Sequence, residues 1–526
     1  MKRIRNYSIS GSKYFILGVI FLVTVIITFI SMKFEQIMPS ATTMADATLP
    51  TVAMDTEAGT QYNVLHGYTS ELDSTLFYGN ITPVNKDRKL AITINTYGED
   101  VESVGYKIRS LEDKSLIENT EVSGYQVTDN KINVTLNIKN LLDTGKEYAL
   151  EVVLKTKKHD AVYYYTRIMY GTDYDLQKKL DFVRDFNACT FDSARLKDIG
   201  GYLETSSVGD NTNYGKVNIN CSLSQIGWGD LEPYIESEIT PEIISINDDV
   251  AIIRLDYRVG AANDYSSSDT YNVNEYYRIR QTNSGFYLLN FEREMNQVFD
   301  AKNDLTSSAK INLGINSSTY VNCTSDEKGI YTYFVNQGSL WCFSSSSQTF
   351  TRVFSFRGEE TDSVREDYDA HNIKIMKIED NGDATFLVSG YMNRGEHEGQ
   401  VGVSLCRYSY SDNDVTERLF IPVAIPYNIL TQNVGGVSYV SNDKFYILID
   451  ETLYSVDLVS KEVMTEITGL KEDAYAVSDA GDAIAYSVSG DIYNTDTIRI
   501  LNMSNDSAYE AVSYTHLRAH ETVLDL

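Results

Sequence analysis

Residue types that do catalytic chemistry are thinly spread along this chain. Only six histidines stand among 526 residues. Two of them open strings that begin as zinc-protease helices do, His397 in "HEGQV" and His520 in "HETVL". Such a helix needs a second histidine four residues on, so that both rings reach one metal from one face. That position is Val401 in one string and Leu524 in the other. A serine triad would draw its base from His66, His159, His371 or His397, all in apparent loops, and no G-x-S-x-G elbow is present. "GDNTNYGKV", Gly209 to Val217, has the outline of a phosphate loop. It places five residues rather than four between the glycines, and Val217 stands where Ser or Thr must hold magnesium. "EDNGDATF", Glu379 to Phe386, is acidic but lacks the spacing of a calcium loop, and a hairpin turn explains it better. Paired carboxylates for glycoside hydrolysis stay open, because 74 acidic residues offer many pairs and no spacing singles one out. No catalytic residue, metal ligand or cofactor is assigned.

The elements that must position any site begin with a leader. Lys2, Arg3, Arg5 and Lys13 precede an uncharged run from Tyr14 to Met32. At 1.5 Å per residue this run spans a bilayer core of about 30 Å. The basic flank keeps residues 1–13 cytoplasmic and sends the rest across. A cleaved signal peptide is the alternative, with small residues at Ser40 to Ala47 as its cleavage region. Beyond Lys33 stand 40 basic and 74 acidic residues, a formal charge of −34. A surface of that sign repels nucleic acid and anionic lipid, so neither is expected as a partner. The membrane is expected as a partner only through the one N-terminal helix.

Residues 33–74 are poor in bulky apolar side chains and read as a flexible linker. From 75 to 171 follow seven strand-like runs, several alternating apolar with polar, which suggests a β-sandwich. "LLDTGKEYALEV" spaces Leu142, Gly145, Tyr148, Leu150 and Val152 in a way that resembles the corner before the sixth strand of fibronectin type III and Ig-like domains. The resemblance implies that Tyr148 bonds back across the corner, in a spacer or adhesion module.

Over 172–305 the period changes. Leu176, Leu180 and Val183 share a helical face widened by Phe182 and Phe186, with Asp173 or Asp175 as cap. "DSARLKDIGGYLE" gives a second helix, and "GDLEPYIESEI" suggests a third. Long strands follow. In "VAIIRLDYRVG", Ile253, Leu255, Tyr257 and Val259 take one face, and Arg254, Asp256 and Arg258 the other. This α+β order resembles the NTF2-like cone, whose last strands often read like "YYRIRQTNSGFYLLNFE". The resemblance implies a pocket between sheet and helices. Trp228, Asp256 and Tyr257 are its candidate lining, with a filled core as the alternative.

Over 306–512 a four-strand template recurs. Turns rich in Asp, Asn and Gly separate its strands, as in "VSDAGDAIAYSVSGD", Val477 to Asp491. A lone sheet of this size exposes two faces that must each pack on a neighbour. The pattern resembles blades of TolB and WD40-like β-propellers, and about four blades are expected. The tail 513–526, "SYTHLRAHETVLDL", resembles translated adapter sequence and is read as non-native, which makes the propeller truncated. Cys189, Cys221, Cys323, Cys342 and Cys406 form no CxxC pair. Buried free thiols are expected, with a Cys323–Cys342 bridge as the alternative.

The chain is thus expected to be a mainly β, multi-domain bacterial surface protein. It is anchored by one transmembrane helix and carries a sandwich, an NTF2-like module and a truncated propeller-like array outside the cell. Binding of a protein or glycan is the leading expectation. The alternatives are an extracellular hydrolase acting on glycan or peptide, and an accessory or sensor of an envelope signalling system.

Overall fold

The first strands come earlier than the sequence suggests. In the computed structural model, the described residues run from 38 to 512, with Val19, Phe21 and Thr24 before them. Within that range 129, 172–173, 263–267, 302–305, 308–309, 312, 314–321, 359–362, 435–436, 442, 472–473 and 488–496 are not described. The expected basic stub, the 14–32 span and the 513–526 tail lie outside the described residues. Among the described residues no helix is long and apolar enough to cross a membrane.

Ten strands form two five-stranded sheets. They are β1 (Thr51–Asp55), β2 (Gln61–Leu65), β3 (Ile81–Val84), β4 (Lys89–Asn95), β5 (Val101–Ser110), β6 (Leu116–Val122), β7 (Gln126–Thr128), β8 (Lys131–Asn137), β9 (Glu147–Thr156) and β10 (Val162–Tyr170). The sheet orders are β2-β1-β4-β8-β7 and β3-β10-β9-β5-β6, with β3 parallel to β10. Alternation decides what faces inward: β8 buries Ile132, Val134 and Leu136 and exposes the residues between. Inner residues of both sheets share one apolar core. Tyr148 is buried, and its hydroxyl accepts from the Asp143 amide at 2.9 Å, closing the expected corner.

Of the linker expected over 33–74, the described residues 38–74 are built into the fold. β1 and β2 lie inside it, because a short strand needs only a few inward side chains; Val52, Met54, Tyr62 and Leu65 supply them. Residues 38–49 run as a strap along the C-terminal sheets. Met38 and Ala41 donate backbone N–H groups to Phe350 and Arg352 carbonyls at 3.0 Å. Glu398 accepts from the amides of Thr48 and Leu49 and from the Thr48 hydroxyl.

The second unit curls long antiparallel strands around a helix, Leu176–Thr190. Its strands are β11 (Lys216–Asn218), β12 (Tyr234–Ile235), β13 (Thr240–Ile246), β14 (Val250–Ala262), β15 (Ser268–Thr282) and β16 (Gly285–Gln297). The order is β11-β16-β15-β14-β12, with β13 also on β14. Phe186 of the helix packs against Tyr277 and Phe291 of the sheet. Asp175 does not cap the helix. It is left-handed (φ 48°), and its carboxylate instead accepts from Lys178 and Gln281. Asp173 lies outside the described residues. The second expected helix is a 3-10 segment, Leu196–Tyr202. The third is no helix: Tyr234 and Ile235 pair with Gly260 and Val259 instead, and a one-turn helix sits earlier at Leu223–Ile226. Asn63 joins this unit to the sandwich. Its side chain accepts from the Ile243 amide and donates to the Ile81 carbonyl and the Thr82 hydroxyl.

Four separate four-stranded antiparallel sheets follow. They are built from Cys323–Ser325 to Thr349–Phe354, His371–Ile378 to Asp414–Pro422, Ser438–Val440 to Val463–Ile467, and Tyr475–Val477 to Ser507–Val512. Each packs a face on the next, since successive apolar clusters hold residues of the first and second, the second and third, and the third and fourth sheets. Tyrosine hydroxyls pin neighbours: Tyr333 donates to the Gly382 carbonyl at 2.5 Å and Tyr446 to the Asp506 carboxylate at 2.9 Å. All five cysteines are free, four of them buried and Cys323 exposed. A Cys323–Cys342 bridge is ruled out by register. Their strands flank Tyr331–Asn336 on opposite sides, facing Phe334 and Tyr333 respectively, so the two thiols project from opposite faces.

Candidate functional site

The outer face of β14 opens onto a cleft of about 630 Å³ that all three units wall. Pairing register builds its floor. Glu242 lies opposite Arg254; Thr240, Asp256 and Asn274 form the next rung; Arg258, Asn272 and Asn296 form a third. These polar rungs face out because Ile253, Leu255 and Val259 alternate with them into the core. The sandwich adds Val64 and His66. The array adds Gln337 from a hairpin turn, Arg357 and Asp367 to Ala370 from the connection between its first two sheets, and Tyr427 from the connection after the second.

Charges in the cleft are largely paired. Arg254 binds Glu242 and also reaches Asp256 at 2.8 Å. Arg258 crosses to Asp367 of the array at 3.1 Å, and Arg357 holds both Asp367 and Asp369. Carboxamides continue the pattern: Asn80 of the sandwich donates to Glu242 at 3.2 Å, Asn274 to Asp256, and Asn272 to Gln337 at 2.7 Å. Glu238 stands exposed at the rim. The His66 ring stacks on Tyr368 with centroids 3.9 Å apart and planes 11° off parallel.

The recess acts on the titrating groups. Burial pushes the Asp369 carboxyl up to about 6, against the pull of Arg357 and Arg258. A third of its side chain remains exposed. Burial likewise raises Glu242 despite Arg254, and holds His66 down to about 3, so that imidazole is neutral.

Of the three residues expected to line a pocket, Asp256 and Tyr257 border this cleft and Trp228 does not. The Asp256 side chain lies on the cleft face. Tyr257 alternates to the other face, where its hydroxyl meets the Asn187 amide at 3.1 Å. Trp228 is buried under the helix–sheet interface; its indole N–H donates to Thr190, and the Arg293 guanidinium stacks 3.4 Å over its ring. That interior is occupied by side chains. Glu275 accepts from Tyr277 and Asn187 and lies 3.8 Å from Arg293, all fully or nearly fully buried. The polar face thus lies on the side of the curled sheet turned away from the helix. Arg254 and Arg258 were legible as that face; nothing in the sequence joined His66, Arg357, Asp367, Asp369 or Tyr427 to it, since separate units bring them in.

Three of the strings set aside on spacing contain turns, and "HETVL" lies outside the described residues. Asp210 closes the Gly209 loop through Thr212 and Asn213, and Gly382 (φ 88°) reverses the chain within "EDNGDATF". His397 stacks on Phe420 and meets Glu417 at 2.9 Å.

No protein-family model matches this chain, and no curated protein matches it. Among solved structures, the chain is similar to the extracellular domain of a putative one-component system from B. thetaiotaomicron, at 10% identity and a TM-score of 0.21. That match covers 51% of this chain and 32% of the other, about a third of its length. An oligogalacturonate lyase from Vibrio parahaemolyticus matches at 8% identity and a TM-score of 0.19, over 54% of this chain and 87% of the lyase. A eukaryotic initiation factor matches at 9% and 0.20, over 50% and 75%. Scores this low establish no common fold.

Proposed function

We propose that this chain is a single-pass, membrane-anchored, extracytoplasmic binding protein whose recognition site is the three-walled cleft. The observation that carries the binding role is the pairing of the cleft charges. Its arginines bind Glu242, Asp256, Asp367 and Asp369, which makes a preorganised polar surface rather than a freed nucleophile. The anchor rests on the uncharged 14–32 run behind its basic flank. In this reading the first unit is an Ig or fibronectin III-like spacer and the second an NTF2-like module. The four stacked sheets are propeller-like blades, whose connecting segments supply the array side of the cleft.

The topology is tested by fusing an epitope tag to the C-terminus and adding protease to intact cells. Loss of the tag is expected, and full protection until lysis would overturn the extracytoplasmic placement. A second reading, a hydrolase, is favoured by one observation: Asp369 sits in the same cleft with its carboxyl at about 6, in the range of a general acid, two residues from Asp367.

A further inference from the structure

Resting on the cleft being a recognition site, we propose that it takes a neutral linear oligosaccharide laid across the outer face of β14, β15 and β16. Charge selects the class. An anionic ligand would have to strip arginines from Glu242, Asp367 and Asp369 and then sit among carboxylates. A cation meets acids already neutralised by guanidinium, with Glu238 standing at the rim. A sugar hydroxyl needs neither sign: it donates and accepts at once. The floor sets acceptors beside donors in matching fashion, with the Asp256 carboxylate next to the Asn274 amide and the Arg258 guanidinium next to Asn272 and Asn296.

Spacing and shape agree with that choice. Neighbouring side chains within a rung lie about 4.8 Å apart, and rungs on one face recur about every 6.8 Å along the strands. The grid therefore offers repeated contacts to a repeating ligand. Tyr427 and the stacked pair Tyr368–His66 stand at the wall. Such rings meet the C–H faces of pyranoses, burying apolar surface without demanding charge. A cleft of about 630 Å³ falls within the range of small-ligand sites.

The test uses the full chain in detergent, titrated calorimetrically with four tetrasaccharides. Two are neutral, of β-1,4-linked glucose and of β-1,4-linked N-acetylglucosamine; one is anionic, of galacturonate; one is cationic, of glucosamine. At least one neutral tetramer should bind, and Asn274→Ala and Tyr427→Ala should each weaken it about tenfold or more while the thermal midpoint holds. Asn296→Ala serves in place of either variant that does not fold. No neutral binding, or binding that none of these variants changes, overturns the proposal. If a charged tetramer binds instead and Asn274→Ala weakens it, the binding reading stands and the ligand class falls. If a neutral tetramer is bound and cut, with new reducing ends lost in Asp369→Asn, the ligand class stands and the non-enzymatic reading falls.

Discussion

At the scale of single residues, His371 shows how burial sets the pH range of this fold. Its Nε2–H donates to the Gly338 carbonyl at 2.9 Å, and Nδ1 is buried without a partner. A proton there would add both a charge and an unpaired donor, so burial pushes the ring down to about 4. Between pH 4 and 6.5 the unfolded chain binds this proton and the folded one does not. Stability therefore falls as pH drops through that window. Asp369, raised to about 6, acts with the opposite sign between its ordinary carboxyl value and 6, because there the folded state holds the extra proton. Thermal midpoints recorded from pH 7 to 4 should decline. His371→Gln should flatten the decline and Asp369→Asn should steepen it; parallel curves for all three proteins would contradict these assignments. Asn63 belongs to the same scale. It adopts φ 47°, a conformation asparagine tolerates well, and serves three partners in a wholly buried place. Asn63→Ala leaves the Ile243 amide unpaired and should cost about 3 kcal/mol, read as a lower midpoint in urea.

At the scale of elements, register governs reactivity as well as packing. Cys323 lies on the exposed edge strand of the first array sheet, and the other four thiols point into cores. Burial holds Cys342 and Cys406 up to about 12, which suppresses their thiolates further. A maleimide should add one label per native chain and five after denaturation. Two or more native labels would mean that the sheets open more readily than their packing implies. The second unit follows the same logic. Its β14 residues alternate from Val250 to Val259, so one shift of register would carry the cleft floor into the core. The thirteen-residue ladder with β15 prevents that slip.

At the scale of the whole molecule, the strap ties the chain's beginning to its later sheets. Arg394 donates to the Met44 and Ala45 carbonyls and pairs with Asp46, Arg365 donates to Ala47, and Glu398 takes Thr48 and Leu49. Contacts of this kind, spanning some 350 positions, join the array to the sandwich, where Tyr391 also donates to the Gly67 carbonyl at 2.8 Å. Glu398→Ala removes three bonds to a carboxylate. Local opening of residues 38–50 should then rise about tenfold or more. Proteinase K, sampled by mass spectrometry, should cut the variant there well before the parent protein, and equal cutting rates would show that the strap is held elsewhere.

Much of the architecture was legible from the sequence, because strand alternation and turn chemistry are local. The seven runs over 75–171 each hold a strand, Tyr148 makes its corner bond, the Leu176 helix buries its apolar face, and four four-stranded units recur after residue 310. The polar face of β14 followed from period two alone. What the sequence could not reveal was which surfaces meet. β1 and β2 are too short to stand out from their surroundings, and the strap is held mainly by backbone groups, which every residue type carries alike. The cleft joins His66, Arg258 and Asp367, far apart in the chain, through the docking of three units. Local pattern decides what each element buries. Only the tertiary structure decided which exposed faces enclose a common space, because that depends on the sum of many distant contacts, none with a signature of its own.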